Sequence, residues 1–296
     1  MTALAAFSLG QLVFGKWPAL AAGLALMLLP DAPQQGFGNP FLGYHWLQQV
    51  NPAQGYGVAS AAFVFMLMLE ACRTTQYRLI FLAYVFVIVT LLYKAQIFVA
   101  IAFPALVFPV LFMKGRIANY RVPLLLLFTA IYLGIVALSQ MSLSVPTMRL
   151  DGSGLTAYSS LILGFQTDGF IKQTFTSLFF SAGNNGYLRA GSFVLMLIIC
   201  TFGVYPVLYA ALLGHLKRSF KPVVWLFPLM VVSIYLIMAI RLALDDRHIG
   251  MPEELLHRPF VWAYFVLVVW CAGGLIIVSL AMLCLLASKQ SGRLYY

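Results

Sequence analysis

Charge is what this chain has least of. Only 9% of its 296 residues are charged while 62% are hydrophobic, far too few ionisable side chains to cover a water-soluble surface. A soluble globular fold is thereby excluded, and a membrane protein is what the composition allows. Acids are scarcer still, eight against eighteen basic residues. The resulting charge of +10 does not point to nucleic acid, because long basic runs are absent and the cations recur singly or in twos between apolar stretches, as membrane orientation requires. Metal-binding and disulfide patterns are missing too. Cys72, Cys200, Cys271 and Cys284 all fall in apolar stretches without CxxC spacing or a histidine partner, the setting of buried thiols. Thr2 to Phe14 lacks the basic leading segment of a cleavable signal. Internal repeats and low-complexity tracts are likewise absent.

What is present is a series of long apolar runs. A membrane-spanning helix needs about 20 apolar residues, and on that criterion the spans fall at 57–72, 79–93, 95–113, 122–140, 190–214, 222–244 and 260–287. The two shortest can borrow a turn from a neighbouring loop. Thr2–Phe14 and Trp17–Leu29 are each 13 residues, too short to cross alone. Two readings stand for them: the remaining end of a helix begun upstream, so that the chain is N-terminally incomplete, or a hairpin of half-length helices turning at Gly15-Lys16. The expected fold is an all-α polytopic bundle of about 7 to 9 spans, in a single integral membrane domain over 1–296.

The cations give the orientation. Loops carrying Arg73/Arg78, Lys114/Arg116/Arg121, Lys217/Arg218/Lys221 and the tail Lys289/Arg293 alternate correctly with the spans to share one side, which the positive-inside bias makes cytoplasmic, together with the C-terminus. Seven of the eight acids (Asp31, Asp151, Asp168, Asp245, Asp246, Glu253, Glu254) then lie outside. Three outer segments follow: 31–56, 141–189 and 245–259. The first, rich in Gly, Pro, Gln and aromatics, reads as an ordered surface loop. The second holds two helix-period stretches, Leu155 to Phe165 and Phe170 to Phe179, which read as helices lying in the interface. Glu70, one helical step from Arg73, reads as a paired acid on the inner side.

Residues able to carry chemistry gather in those segments. "DDRHIGMPEELLHR", 245–258, holds four of the eight acids. Gly-Met-Pro followed by Glu253-Glu254 is how a helix starts, with acids against the positive end of its dipole. Asp245 and Asp246 follow a span end, where the dipole gives them nothing. Asp245 can pair with Arg241, or Asp245, Asp246, His248, Glu254 and His257 can surround a divalent cation such as Mg or Mn, or a proton-transfer site. Asp31 leaves the membrane with no basic neighbour for forty residues; it is either an exposed helix-end acid or a site acid. His45-Trp46 can dock a sugar ring or sit in the interfacial aromatic belt. Lys94 interrupts an apolar stretch on the side the bias disfavours, as do Arg149, Arg189, Arg247 and Arg258. They snorkel to headgroups or hold a phosphate.

The succession "LLPDAP", "GYHWLQQVNP", "YKAQIFVAIAFPALVFPVLF" and "LLHRPFVWAYFVLVVW" resembles the middle and C-terminal membrane half of bacterial GT-C-type glycosyltransferases. It does so in hydropathy and loop placement over 31–287. The resemblance implies a lipid-linked (polyprenyl-phosphate) sugar donor, used at the outer face of the cytoplasmic membrane in building the cell envelope. It implies an acidic role for Asp31 and donor-phosphate contacts from Lys94, Arg149, Arg189, Arg247 and Arg258; with the residue reading above, the catalytic candidates are Asp31, Asp245, Asp246 and His257, and His45 and Trp46 join the substrate contacts. One departure stands out: that family carries an acidic pair in the loop after its first helix, and no part of this chain matches it. A membrane transporter or flippase is the alternative from another class, although mid-membrane charges and a duplicated half are lacking. A non-catalytic membrane subunit is the third.

Overall fold

The structure, a computed structural model, describes residues 1–37, 39–114, 148–150, 162–183, 185–244 and 258–291, with isolated positions between 119 and 130. Apart from one short ribbon the described chain is helical. In order come α1 (Thr2–Phe14), α2 (Lys16–Leu28), α3 (Tyr44–Val50), α4 (Pro52–Thr74), α5 (Tyr77–Tyr93), α6 (Ala95–Phe112), α7 (Phe170–Ser181), α8 (Gly186–Phe202), α9 (Tyr205–Ser219), α10 (Pro222–Arg241) and α11 (Phe260–Ser291). β1 (Met148–Leu150) pairs antiparallel with β2 (Leu242–Leu244), Arg149 opposite Ala243. In hydrocarbon every backbone N–H and C=O must be satisfied within its own segment, and apolar helices do this.

Four helices are long and apolar enough to cross a membrane: α4, α6, α10 and α11. Counting the bent pair α8 and α9 as one span gives up to five. The chain is therefore a multi-pass helical membrane protein with four to five candidate spans among its described residues, fewer than the seven to nine expected. Part of the difference is length, since α1, α2 and α5 are apolar but shorter. Another part, the expected span at 122–140, lies outside the described residues, as do Leu155 to Leu161 of the first interfacial stretch. The span expected at 190–214 is built as two helices, α8 and α9, which pass as a span only together and meet at 88°. Gly203, at φ 58, supplies a left-handed turn that side chains resist. Pro206 lies in the first turn of α9, where proline is tolerated. The second of the two helix-period stretches is helical as α7, with Phe175 buried and Phe170 and Phe180 exposed.

Small residues set the closest contacts. α1 and α2 form the half-length hairpin, turning at Gly15 with φ 91. A Cβ added at Gly10 would stand 3.1 Å from Ala19 Cα, and one at Gly23 3.2 Å from Ala3 O. On α4, a Cβ at Gly57 would be 2.9 Å from Lys94 Cβ, so glycine there lets the α5–α6 joint lie on the helix backbone. Between α4 and α5, Ser60 Oγ and Thr90 Oγ1 are 2.7 Å apart, a polar link inside an apolar interface. The core is aromatic. Phe65 stacks on Trp262 at 5.6 Å and meets Phe227 at 4.9 Å, and Phe227 lies 5.1 Å from Trp270. α11 is buried on all sides from Phe260 to Ala272, whereas Leu275, Leu280, Met282 and Leu283 beyond it are exposed.

Candidate functional site

Where α2 ends, its chain leaves the carbonyls of Leu29 and Pro30 without helical partners. Side chains from three other segments fill the gap. His45 Nε2 donates to Leu29 O at 3.0 Å, which fixes the ring tautomer. Gln35 Nε2 donates to Pro30 O at 2.7 Å, and the Tyr205 hydroxyl donates to the same oxygen at 3.1 Å. Gln35 also accepts the Val204 N–H at 2.9 Å, tying the α8–α9 break to the loop after α2. A Cβ at Gly203 would collide with Gln35 Oε1.

Asp31 sits inside this arrangement and is 3% exposed, not the exposed helix-end acid that was one of its two readings. Its Oδ2 accepts the His45 backbone N–H at 2.9 Å. Its Oδ1 accepts the Gln34 N–H at 3.3 Å while Gln34 Oε1 accepts the Asp31 N–H at 3.2 Å, a reciprocal capping pair. The bond from His45 reaches into the first turn of α3, so one carboxylate caps two elements. Each oxygen keeps a further lone pair for a ligand hydroxyl. Below it, Tyr44 stacks on Tyr264 at 4.7 Å and Tyr264 meets Tyr205 edge-on at 5.5 Å.

A cleft of about 180 Å³ opens beside Asp31, lined among others by Gln34, His45, Trp46 and Gln49. Three of the residues singled out from sequence, Asp31, His45 and Trp46, thus share one cleft. Trp46 is 44% exposed. Gln34, Gln49, Tyr205 and Tyr264 were not foreseen. The glutamine-rich composition of 31–56 was the available signal for the first two, whereas the tyrosines lie at the starts of apolar helices and carried none.

The cations expected on the outer side are dispersed. Lys94 joins α5 to α6 in extended backbone, and its carbonyl accepts the N–H groups of Ile97 and Phe98 at 3.1 and 3.0 Å. Arg258 O accepts Gln54 Nε2 at 2.6 Å. Gln54 and Gly57 are one turn apart on α4, so Lys94 and Arg258 flank the start of that helix, and neither lines the Asp31 cleft. Arg189 lies on α8 with its guanidinium 4.7 Å from the Phe179 ring, away from the cleft. The ribbon sets the backbone of Arg149 beside 242–244, the root of the segment that follows. Asp245, Asp246, Arg247, His248 and His257 lie outside the described residues, as do Glu253 and Glu254. Among the described residues no three His, Cys, Asp or Glu side chains come together as metal ligands. Two acids are engaged in ion pairs among the described residues. Asp168 accepts from Lys172 at 2.8 Å, which holds its carboxyl below the usual range, and Glu70 stands 3.9 Å from Arg73.

Fold and cleft together define a polytopic helical membrane protein with a small polar cleft at the end of its bundle where α2 stops. No family model matches the chain, and comparison with curated proteins and with solved structures finds no significant match.

Proposed function

We propose that this chain is a glycosyltransferase-like membrane protein that engages a lipid-linked sugar at the outer face of the cytoplasmic membrane, with one sugar ring in the Asp31 cleft. The observation that carries the reading is the convergence of Asp31, His45 and Trp46 with Gln34 and Gln49 on a single cleft. An exposed indole face, planar amides and a carboxylate with lone pairs to spare match the flat apolar face and hydroxyl rim of a sugar. At about 180 Å³ the cleft is smaller than the roughly 300–1,000 Å³ of ordinary small-molecule pockets, which suits one ring.

Lys94 and Arg258, flanking the positive end of α4, are the cations for the donor phosphate. Chemistry falls to Asp245, Asp246 and His257, with or without a divalent cation such as Mg or Mn, because the Asp31 carboxylate already caps two elements. In this reading α5 and the 122–140 segment are further spans, and the C-terminus is cytoplasmic.

The test is binding of a polyprenyl-phosphate monosaccharide to the purified protein in detergent, followed by calorimetry. Trp46→Ala should weaken binding about tenfold, because it removes the aromatic face that covers the apolar side of the sugar ring. The melting temperature should stay unchanged. Equal affinity for the variant would remove the sugar from this cleft.

A further inference from the structure

At the opposite end of the bundle, the ends of α1, α4, α6 and α9 and the start of α10 surround a cavity of about 770 Å³. Its wall includes Leu12, Leu69, Leu111, Phe112 and Val223, and its lining also holds Arg73, Lys114 and Lys221 with a single acid, Glu70. The three cations come from three separate connections of the chain, so the fold and not a local basic run assembles them. Arg73 has only the 3.9 Å approach of Glu70, too long for a hydrogen bond, and its guanidinium donates no hydrogen bond to any described residue. Lys114 and Lys221 are exposed and make no ion pair among the described residues. The lining therefore carries three positive charges against one negative, next to an apolar wall at the ends of candidate membrane spans.

We infer that this cavity is a binding site for an anionic glycerophospholipid. Arg73, Lys114 and Lys221 hold the phosphate, and one acyl chain lies along Leu12, Leu69 and Leu111. Two features select this occupant over a soluble anion or a neutral lipid. Apolar surface in the lining contributes nothing to binding a free phosphate, but covers an acyl chain. The surplus of positive charge opposes the choline of a zwitterionic headgroup and complements an anionic one. Arg73 offers the planar donor fork that fits phosphate oxygens, and the two lysines add compact charge. The site is separate from the Asp31 cleft and does not depend on the sugar reading.

The experiment is native mass spectrometry of the full chain, titrated in detergent with phosphatidylglycerol or phosphatidylcholine. Phosphatidylglycerol should bind about tenfold more tightly, and Arg73→Gln, Lys114→Gln and Lys221→Gln should each weaken it about five- to tenfold. Arg78→Gln and Arg218→Gln remove the same charge from neighbouring exposed positions that do not line the cavity, and should leave binding unchanged. Leu111→Trp, which fills the cavity and keeps every charge, should also lower affinity. Millimolar glycerol 3-phosphate should not displace the lipid. Equal binding of the two lipids, equal effects of Arg78→Gln and Lys114→Gln, or displacement by glycerol 3-phosphate would each overturn the assignment.

Discussion

The Asp31 carboxylate accepts the backbone N–H of His45 at 2.9 Å, while the His45 ring reaches back to Leu29 O at 3.0 Å. The two residues lock the end of α2 to the start of α3 from both sides. Replacing Asp31 by Ala leaves the part-buried His45 and Gln34 N–H groups without their acceptor, so a loss of about 2 kcal/mol is expected, taking the low end of the 1–3 kcal/mol for each donor left unsatisfied. Asp31→Asn keeps one acceptor oxygen and should lose about half as much. Thermal melting in detergent checks both, and an unchanged midpoint for Asp31→Ala would remove the capping role.

Gly203→Ala should be among the more damaging single-methyl changes in the protein. The residue combines φ 58 with ψ −129, a region sparsely open to side chains that costs about 1 to 3 kcal/mol, and its new Cβ would collide with Gln35. Gln35→Ala relieves that collision but removes two hydrogen bonds. Melting of the two single variants and the double variant should therefore show the double losing less than the sum.

Topology is checked by labelling. With Cys72 and Cys284, the less buried of the four cysteines, replaced by serine, a cysteine at Gln48 should react with a membrane-impermeant maleimide in intact cells. One at Ser291 should react only after lysis. The reverse pattern would invert the orientation drawn from the basic loops.

Catalysis is expected to depend on the segment between β2 and α11. Asp245→Asn or Asp246→Asn should abolish sugar transfer while membrane insertion and melting persist, because an amide is a poor base and a weaker metal ligand. Glu253→Gln and Glu254→Gln should lower stability by about 0.3 to 1 kcal/mol, the size of a helix-dipole contact, and leave transfer intact. Arg241→Gln run alongside separates loss of a structural partner of Asp245 from loss of chemistry. Transfer surviving both aspartate changes would leave Asp31 as the remaining candidate acid.

Hydropathy made the long helices legible. The 57–72 run lengthens at both ends into α4, and 95–113 and 222–244 reappear within a few residues as α6 and α10. Periodicity found α7, whereas the N-terminal turn at Gly15 was only one of two readings, since two 13-residue apolar runs fit the end of a longer helix as well. The break at 203–204 was present in the letters "FGVYP", but an uninterrupted apolar run outweighed its glycine and proline. The cap that Asp31 places on α3 spans 14 residues, and the docking of Gln35 on Val204 spans 169. Contacts of that reach leave no periodic trace, so composition could mark 31–56 as ordered without revealing which side chains hold it. The same limit applies to the cavity at the basic end. Each of its cations was visible as an orientation signal, but their convergence follows only from how the helix ends pack.

The most direct measurement is photocrosslinking of the purified protein with a polyprenyl-phosphate monosaccharide carrying a diazirine on the sugar, with the labelled peptide mapped by mass spectrometry. Attachment within residues 31–49, suppressed by excess unlabelled ligand and by Trp46→Ala, is the result expected from the Asp31 cleft. Specific attachment confined to other segments, unaffected by Trp46→Ala, would contradict it.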